Sequence, residues 1–143
     1  MAIDRATIGT NTWDTIFGLL NVAAITNNAQ VASAYAKSYI KNASNKDFVV
    51  IHKPSITEDI LSFTNKKTYN VSIDIEIVCS EEEQLKVLSD LVRTTLQSGI
   101  STTRAAYLFN FRITGDEIAY ELRDNRRIFH NILTAEYYRR GDT

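Results

Sequence analysis

Residues 69–79 read YNVSIDIEIVC. Tyr69, Val71, Ile73, Ile75, Ile77 and Cys79 fall on one side of an extended chain, and Asn70, Ser72, Asp74, Glu76 and Val78 on the other. Side chains on a strand alternate between faces, so this period of two predicts a half-buried β-strand. At about 3.3 Å per residue the strand is roughly 36 Å long, close to the ~37 Å diameter expected of a domain this size. The acids on its polar side also guard a sheet edge against aggregation.

Working outward, the next segment predicts a helix. Ser80-Glu81-Glu82-Glu83 has the spacing of a capping box, with Ser80 and Glu83 as reciprocal partners. Leu85, Leu88, Leu91, Val92 and Leu96 recur at helical spacing, and Gly99 suits a left-handed closing position. Ala105–Ile113 (AAYLFNFRI) reads as a strand, with Tyr107, Phe109, Phe111 and Ile113 in phase. Gly115-Asp116 reads as a turn, 117–123 as an ambiguous strand, Asp124-Asn125 as a second turn and Arg127–Arg139 as a long extended run.

On the other side, FVVIHK (48–53) is a β-branched run ended by Pro54, the only proline, and predicts a strand. Residues 37–47 and 55–67 read as polar loops, the second with a turn of helix around Glu58–Leu61. Residues 31–36 read as a short strand. Residues 1–10 read as an arm, followed by a helix capped by Asn11 with its apolar stripe at Trp13, Ile16, Phe17, Leu20 and Ala24 and a stop at Asn27-Asn28. The order predicts an α+β fold: one domain over residues 1–143, a mainly antiparallel β-sheet with two helices packed on one face. Residues 69–113 are set up as a right-handed parallel crossover.

Composition narrows the function. The chain is 44% hydrophobic and 23% charged, as in a globular protein, with net charge −1. A sequence pI near 6.1 excludes a dominant electrostatic footprint for nucleic acid. The start lacks the apolar segment of a signal peptide and no run is long enough to span a membrane, so the expectation is a soluble protein made in the cytoplasm. The single cysteine, Cys79, excludes an internal disulfide.

The chemical motifs are absent. The sequence contains no GxxxxGK[ST], GxGxxG, HExxH or CxxC. His52 and His130 fall in separate predicted strands and read as ordinary strand residues, with no spacing that adds metal ligands to them. Cys79 is in phase with the buried side of its strand, which argues against a nucleophile. Asp74 and Glu76 share a strand face and read as solvating or lumen-facing groups rather than an acid–base pair. The expectation is therefore no enzyme, no cofactor and no metal.

The charges are segregated. Every lysine lies between Lys37 and Lys86, and every arginine except Arg5 at or after Arg93. Glu81 and Glu82 lie in an acidic stretch, and Arg123, Arg126, Arg127, Arg139 and Arg140 in a basic one. Guanidinium groups favour interfaces because they bind carboxylates bidentately. These residues are the candidate subunit interface of a head-to-tail assembly, which closes into a ring or runs on as a filament.

The segments KTYNVSIDIEI (67–77), LKVLSDLV (85–92) and HNILTAEYY (130–138), placed after an amphipathic helix and two short strands, resemble the tail terminator, or tail completion, proteins of long-tailed bacteriophages and related contractile machines. The resemblance implies a virion protein of the tail and neck, assembled in the host cytoplasm as a homo-oligomer, a hexameric ring. Such a ring caps the tail tube protein, stops tube polymerisation and docks the neck or connector protein. It meets the sheath if the tail is contractile, and DNA passes through only as cargo. It implies tube or neck contacts in the polar loops, here Tyr39, Ile40, Lys41, Phe63 and Lys66, and an acidic lumen lined by Asp74 and Glu76. Another neck protein, of the head-completion or stopper kind, and a small α+β homodimeric ligand-binding domain are the alternatives.

Overall fold

Lys67–Cys79 forms strand β4, and it lies inside the sheet, flanked on both sides. The structure, a computed structural model, describes residues 5–27, 29–33, 47–60, 67–123 and 126–140. These form helices α1 (Arg5–Leu20), α2 (Ala23–Thr26), α3 (Glu82–Ser98) and α4 (Ile100–Ala105). The other strands are β1 (Gln30–Ser33), β2 (Phe48–Ile51), β3 (Ser55–Ile60), β5 (Phe109–Arg123) and β6 (Arg126–Arg140). The sheet order is β1-β2-β4-β6-β5, with β3 also on β4. Only β1–β2 is parallel; every other pair is antiparallel. The chain is thus α+β, and β4 and β5 run parallel with β6 between them.

The period of two does what alternation requires. Ile73, Ile75, Ile77 and Cys79 are buried in one core with Val49 and Ile51 of β2, Leu133, Ala135 and Tyr137 of β6, Ile16 and Leu20 of α1, and Leu85, Leu88, Val92 and Leu96 of α3. The helices therefore share this one face of the sheet. On the other face Phe48, Val50, Val78 and Ile128 make a smaller buried cluster. Cys79 is buried on the helix face, where burial pushes its thiol up to about 12.

Several sequence expectations change. Helix α1 starts at Arg5, not after an arm ending at residue 10, because Ile8 packs against Tyr69, Val71 and Ile56 one turn before Thr12. Asn11 is inside the helix, and the Thr12 and Thr15 hydroxyls donate to the Ile8 and Asn11 carbonyls, at 2.8 and 2.7 Å. The Trp13 ring stacks on Phe17 at 5.0 Å, and its Nε1 donates to the Ile51 carbonyl at 3.3 Å, which ties α1 to the end of β2. Ala24, placed on the same stripe, is exposed.

The capping box does not form. The N-cap of α3 is Glu81, with no side-chain cap bond, and the Ser80 N–H donates to Asp47 Oδ1 at 3.4 Å. Gly99 has φ −87°, outside the left-handed region; it is small because a Cβ there would lie 2.6 Å from Leu19 Cδ2. The chain then enters α4 and turns at Tyr107, φ 64°, so β5 begins at Phe109 rather than at Ala105.

Residues 55–60 are strand, not loop or helical turn. β3 pairs with the first half of β4 (Ser55 opposite Ser72) and β2 with the second half (Ile51 opposite Ile75), on the same edge. Between them His52, Lys53 and Pro54 face only Ile73 and Asp74, so the two strands act as one strand broken by a single extra residue. Pro54, lacking an N–H, occupies that break. The loop residues 34–46 and 61–66 and the predicted Asp124-Asn125 turn lie outside the described residues.

Gly115-Asp116 is not a turn either. Both residues are inside β5, where the register against β6 shifts between Phe109 and Arg112 and again between Ile113 and Gly115. Asn110 (φ 56°) sits in the first shift. Gly115 faces Thr134, and a Cβ there would lie 2.8 Å from Thr134 Oγ1 and 3.2 Å from its Cβ. The Thr134 hydroxyl, left undisturbed, donates to Asp74 Oδ1 at 2.7 Å. Gly115→Ala is expected to lower the unfolding free energy by about 1–3 kcal/mol in denaturant titration, since overpacking forces a strand shift. Gly18→Ala, where nothing lies within 4 Å, is expected to be neutral or stabilising.

Candidate functional site

On the sheet face away from the helices, Glu76 stands in a row with Val50 of β2 and Ile132 of β6. Its diagonal neighbours are histidines. His130, opposite Val78, brings Nδ1 to 2.7 Å from Glu76 Oε2. His52, just past the end of β2, brings Nε2 to 3.0 Å from Glu76 Oε1. One carboxylate thus holds an imidazole on each oxygen and links three adjacent strands. The His52 backbone N–H also donates to the Asp74 carbonyl at 3.0 Å, which fixes the break between β2 and β3.

The electrostatics follow from this contact. The hydrogen bond to His130, then that to His52, pulls the Glu76 carboxyl down from 4.5 to about 2 against the opposing effect of burial. The Glu76 hydrogen bond raises His52 above 6.5, more than burial lowers it. Beside them Asp74 is exposed and accepts from Thr134. Further along the same face, Glu136 accepts from Thr114 at 3.1 Å and pairs with Arg112 at 2.9 Å. A half-open polar groove of about 460 Å³ adjoins this pair, lined by Thr57, Asn70, Ser72, Asn110, Arg112 and Tyr138 among others.

The two acids expected to face a lumen do share this face. Asp74 is solvated, whereas Glu76 is engaged by both histidines. The histidines, expected to be unrelated strand residues, instead meet at one carboxylate. Residues 52, 76 and 130 are far apart in sequence, and only the strand register joins them. A single-sequence signal did exist: Val50 and His52 are in phase with Phe48. No pattern states which position of β4 they face. Cys79 is on the opposite face, so neither imidazole is placed to activate it. Among the described residues no group of three His, Cys, Asp or Glu could hold a metal ion.

The candidate interface residues divide. Arg139 is 2% exposed, its guanidinium 5.7 Å from the Tyr107 ring, so it is a packed side chain of this subunit rather than a surface cation. Burial lowers its pKa below the ordinary guanidinium value. Arg127 is exposed and lies 5.7 Å from the Tyr120 ring. Glu81 and Glu82 are exposed at the start of α3. Because Cys79 pairs with Phe129, the acids and Arg127 lie at the same end of the sheet. Arg123, Arg126 and Arg140 occupy register positions at the ends of β5 and β6. Tyr39, Ile40, Lys41, Phe63 and Lys66 lie outside the described residues.

A feature the sequence reading passed over is the outer side of β5. Past Cys79, the β5–β6 pairing continues for Glu121–Ile128, Leu122–Arg127 and Arg123–Arg126, so the hairpin outruns β4. Ile118, Tyr120 and Leu122 alternate along it, 60%, 65% and 71% exposed. Tyr120 packs its ring on Phe129 at 6.4 Å. β5 is the last strand in the sheet order.

No family model matches the chain, and no curated protein matches it. No helix among the described residues is long and apolar enough to cross a membrane.

The histidine–carboxylate cluster predicts a two-sided pH profile. Glu76, whose folded value is depressed, contributes stability that is present above about 4.5 and lost as the pH falls toward about 2. His52, whose folded value is raised, contributes stability that is full below 6.5 and lost as the pH rises through its folded value. Urea midpoints are expected to be highest between about 4.5 and 6.5 and to fall on both sides. Glu76→Gln is expected to flatten both slopes and to cost about 1–3 kcal/mol at pH 6. A Glu76→Gln profile parallel to the wild type would contradict this assignment.

Proposed function

We propose that the chain is a structural assembly subunit, a tail terminator that forms a ring on the end of a tail tube, stops its growth and joins it to the neck. The observation that carries the reading is the β5–β6 hairpin. It extends past the central strand and presents three large apolar side chains at an open sheet border. A subunit that works alone has no use for such a border, which invites another chain. The sequence resemblance to tail terminators supplies the class of assembly.

The charge layout supports the same reading. Glu81, Glu82 and Arg127 sit at one end of the sheet. Subunits arranged around an axis beyond that end bring the acids of one to the arginines of the next, as head-to-tail contacts require. Asp74 would give the passing DNA a repelling surface if its face lines the lumen. The apolar border supplies affinity and the charges set register.

The test is assembly. Purified protein mixed with tail tubes is expected to form rings of six subunits by electron microscopy and to cap tube ends. Reversing Arg126→Glu and Arg127→Glu together is expected to abolish ring formation and leave far-ultraviolet circular dichroism unchanged. Tubes that grow equally long with and without the protein would overturn the proposal.

A further inference from the structure

The outer border of β5 has a self-complementary pattern. Residues 117–123 read EIAYELR. In antiparallel pairing of two copies of one strand about a two-fold axis, residue i faces residue j with i + j constant. Placing the axis at Tyr120 puts Ile118 opposite Leu122 of the second copy and Tyr120 opposite its equivalent. On the other face it puts the register position of Glu117 opposite that of Arg123, and Ala119 opposite Glu121. On the face of Ile118, Tyr120 and Leu122 every position then meets an apolar one, and on the other face the acid position at one end meets the arginine position at the other. Moving the axis by one residue, to Ala119, destroys this pattern. It sets Glu117 opposite Glu121 and Asp116 opposite Leu122.

The geometry of the subunit agrees with that register. Ile118, Tyr120 and Leu122 project on the helix side of the sheet, because they face Asn131, Phe129 and Arg127 of β6. Their exposure of 60–71% shows that the helices leave this stretch uncovered. Asp116, just before it, is held by Arg93 of α3, so the helix ends its coverage there. Glu117, Ile118, Ala119, Tyr120 and Leu122, which carry most of the pattern, are all exposed.

We infer that the free subunit pairs with a second copy of itself through β5, antiparallel and centred on Tyr120. The contact joins two sheets into one and buries the six apolar side chains of the two borders in a single strip. It also occupies the border that a growing assembly would use, so the dimer is a resting form that must open before ring contacts involving β5 can form. The dimer itself follows from the register and does not need the ring.

Tyr120→Cys tests the centre of the register. Cys79, the chain's only cysteine, is buried, so the background is quiet. Copper phenanthroline and air are expected to convert Tyr120→Cys into a disulfide-linked dimer at twice the 16.2 kDa chain mass. Directly opposed strand positions lie within reach of a disulfide. Ala119→Cys alone is expected to give little product, and Ala119→Cys with Glu121→Cys a high yield.

Light scattering supplies the second arm. The wild type is expected at two chains, Glu117→Arg to bind about tenfold more weakly, and Glu117→Arg with Arg123→Glu to recover. A monomer at all concentrations overturns the inference. So do rings in which Tyr120→Cys fails to cross-link, and those leave the terminator reading intact. A wild type that dimerises but never caps a tube upholds the inference and overturns the terminator reading.

Discussion

The pairing of β4 with β6 is the constraint on which the rest of the molecule depends. It joins twelve residue pairs, from Thr68–Arg140 to Cys79–Phe129, without a register break. Its alternation divides the sheet into an apolar side that takes the helices and a side that carries the polar pairs. A slip of one residue would exchange Ile73, Ile75 and Ile77 with Asp74, Glu76 and Val78, and the core could not form. The His130–Glu76 contact and the Asp74–Thr134 bond follow from that one register, and the β2 and β5 pairings build outward from it.

The Glu76 contact shows how the polar side is held without a second layer of helices over it. A carboxylate in the interior of a sheet face loses hydration, and here two imidazoles replace it. The result is a clamp across β2, β4 and β6 near the break at Pro54. By contrast, Asn131 Oδ1 and the Tyr137 hydroxyl are buried with no partner among the described residues. Asn131 still donates to Ser89 of α3, which explains its retention in an otherwise apolar row.

The elements legible in the sequence were those whose pattern is local and strong. Tyr69–Cys79 declares its faces by alternation, and Leu85–Leu96 declares its helix by spacing. The α+β class and the shared face of the helices followed from them. The misreadings have particular causes. SITEDI looks like a loop because Ser55, Glu58 and Asp59 are poor strand formers, yet β4 supplies a ready edge for it. Gly115 looks like a turn but is a close approach to Thr134. The first turns of α1 look unstructured until Ile8 finds Tyr69 and Val71. The histidine cluster and the β5 border were invisible for a different reason: each depends on which strands become neighbours, and no single segment encodes that.

The hairpin of β5 and β6 also has a consequence for how the chain reaches its native state. Its strands are joined by only positions 124–125, so loop-closure entropy opposes it least, and hairpins of this kind form in microseconds. β4 reaches β6 only after the whole α3–α4 segment has been looped out, which is a slower, non-local step. This hairpin, made after the other elements of the sheet, is therefore among the first to take shape, while its sticky outer rim is still unprotected. Crowded nascent chains would meet one another there before the core has closed, so yield on refolding should depend on dilution more steeply than the modest size of the polypeptide suggests.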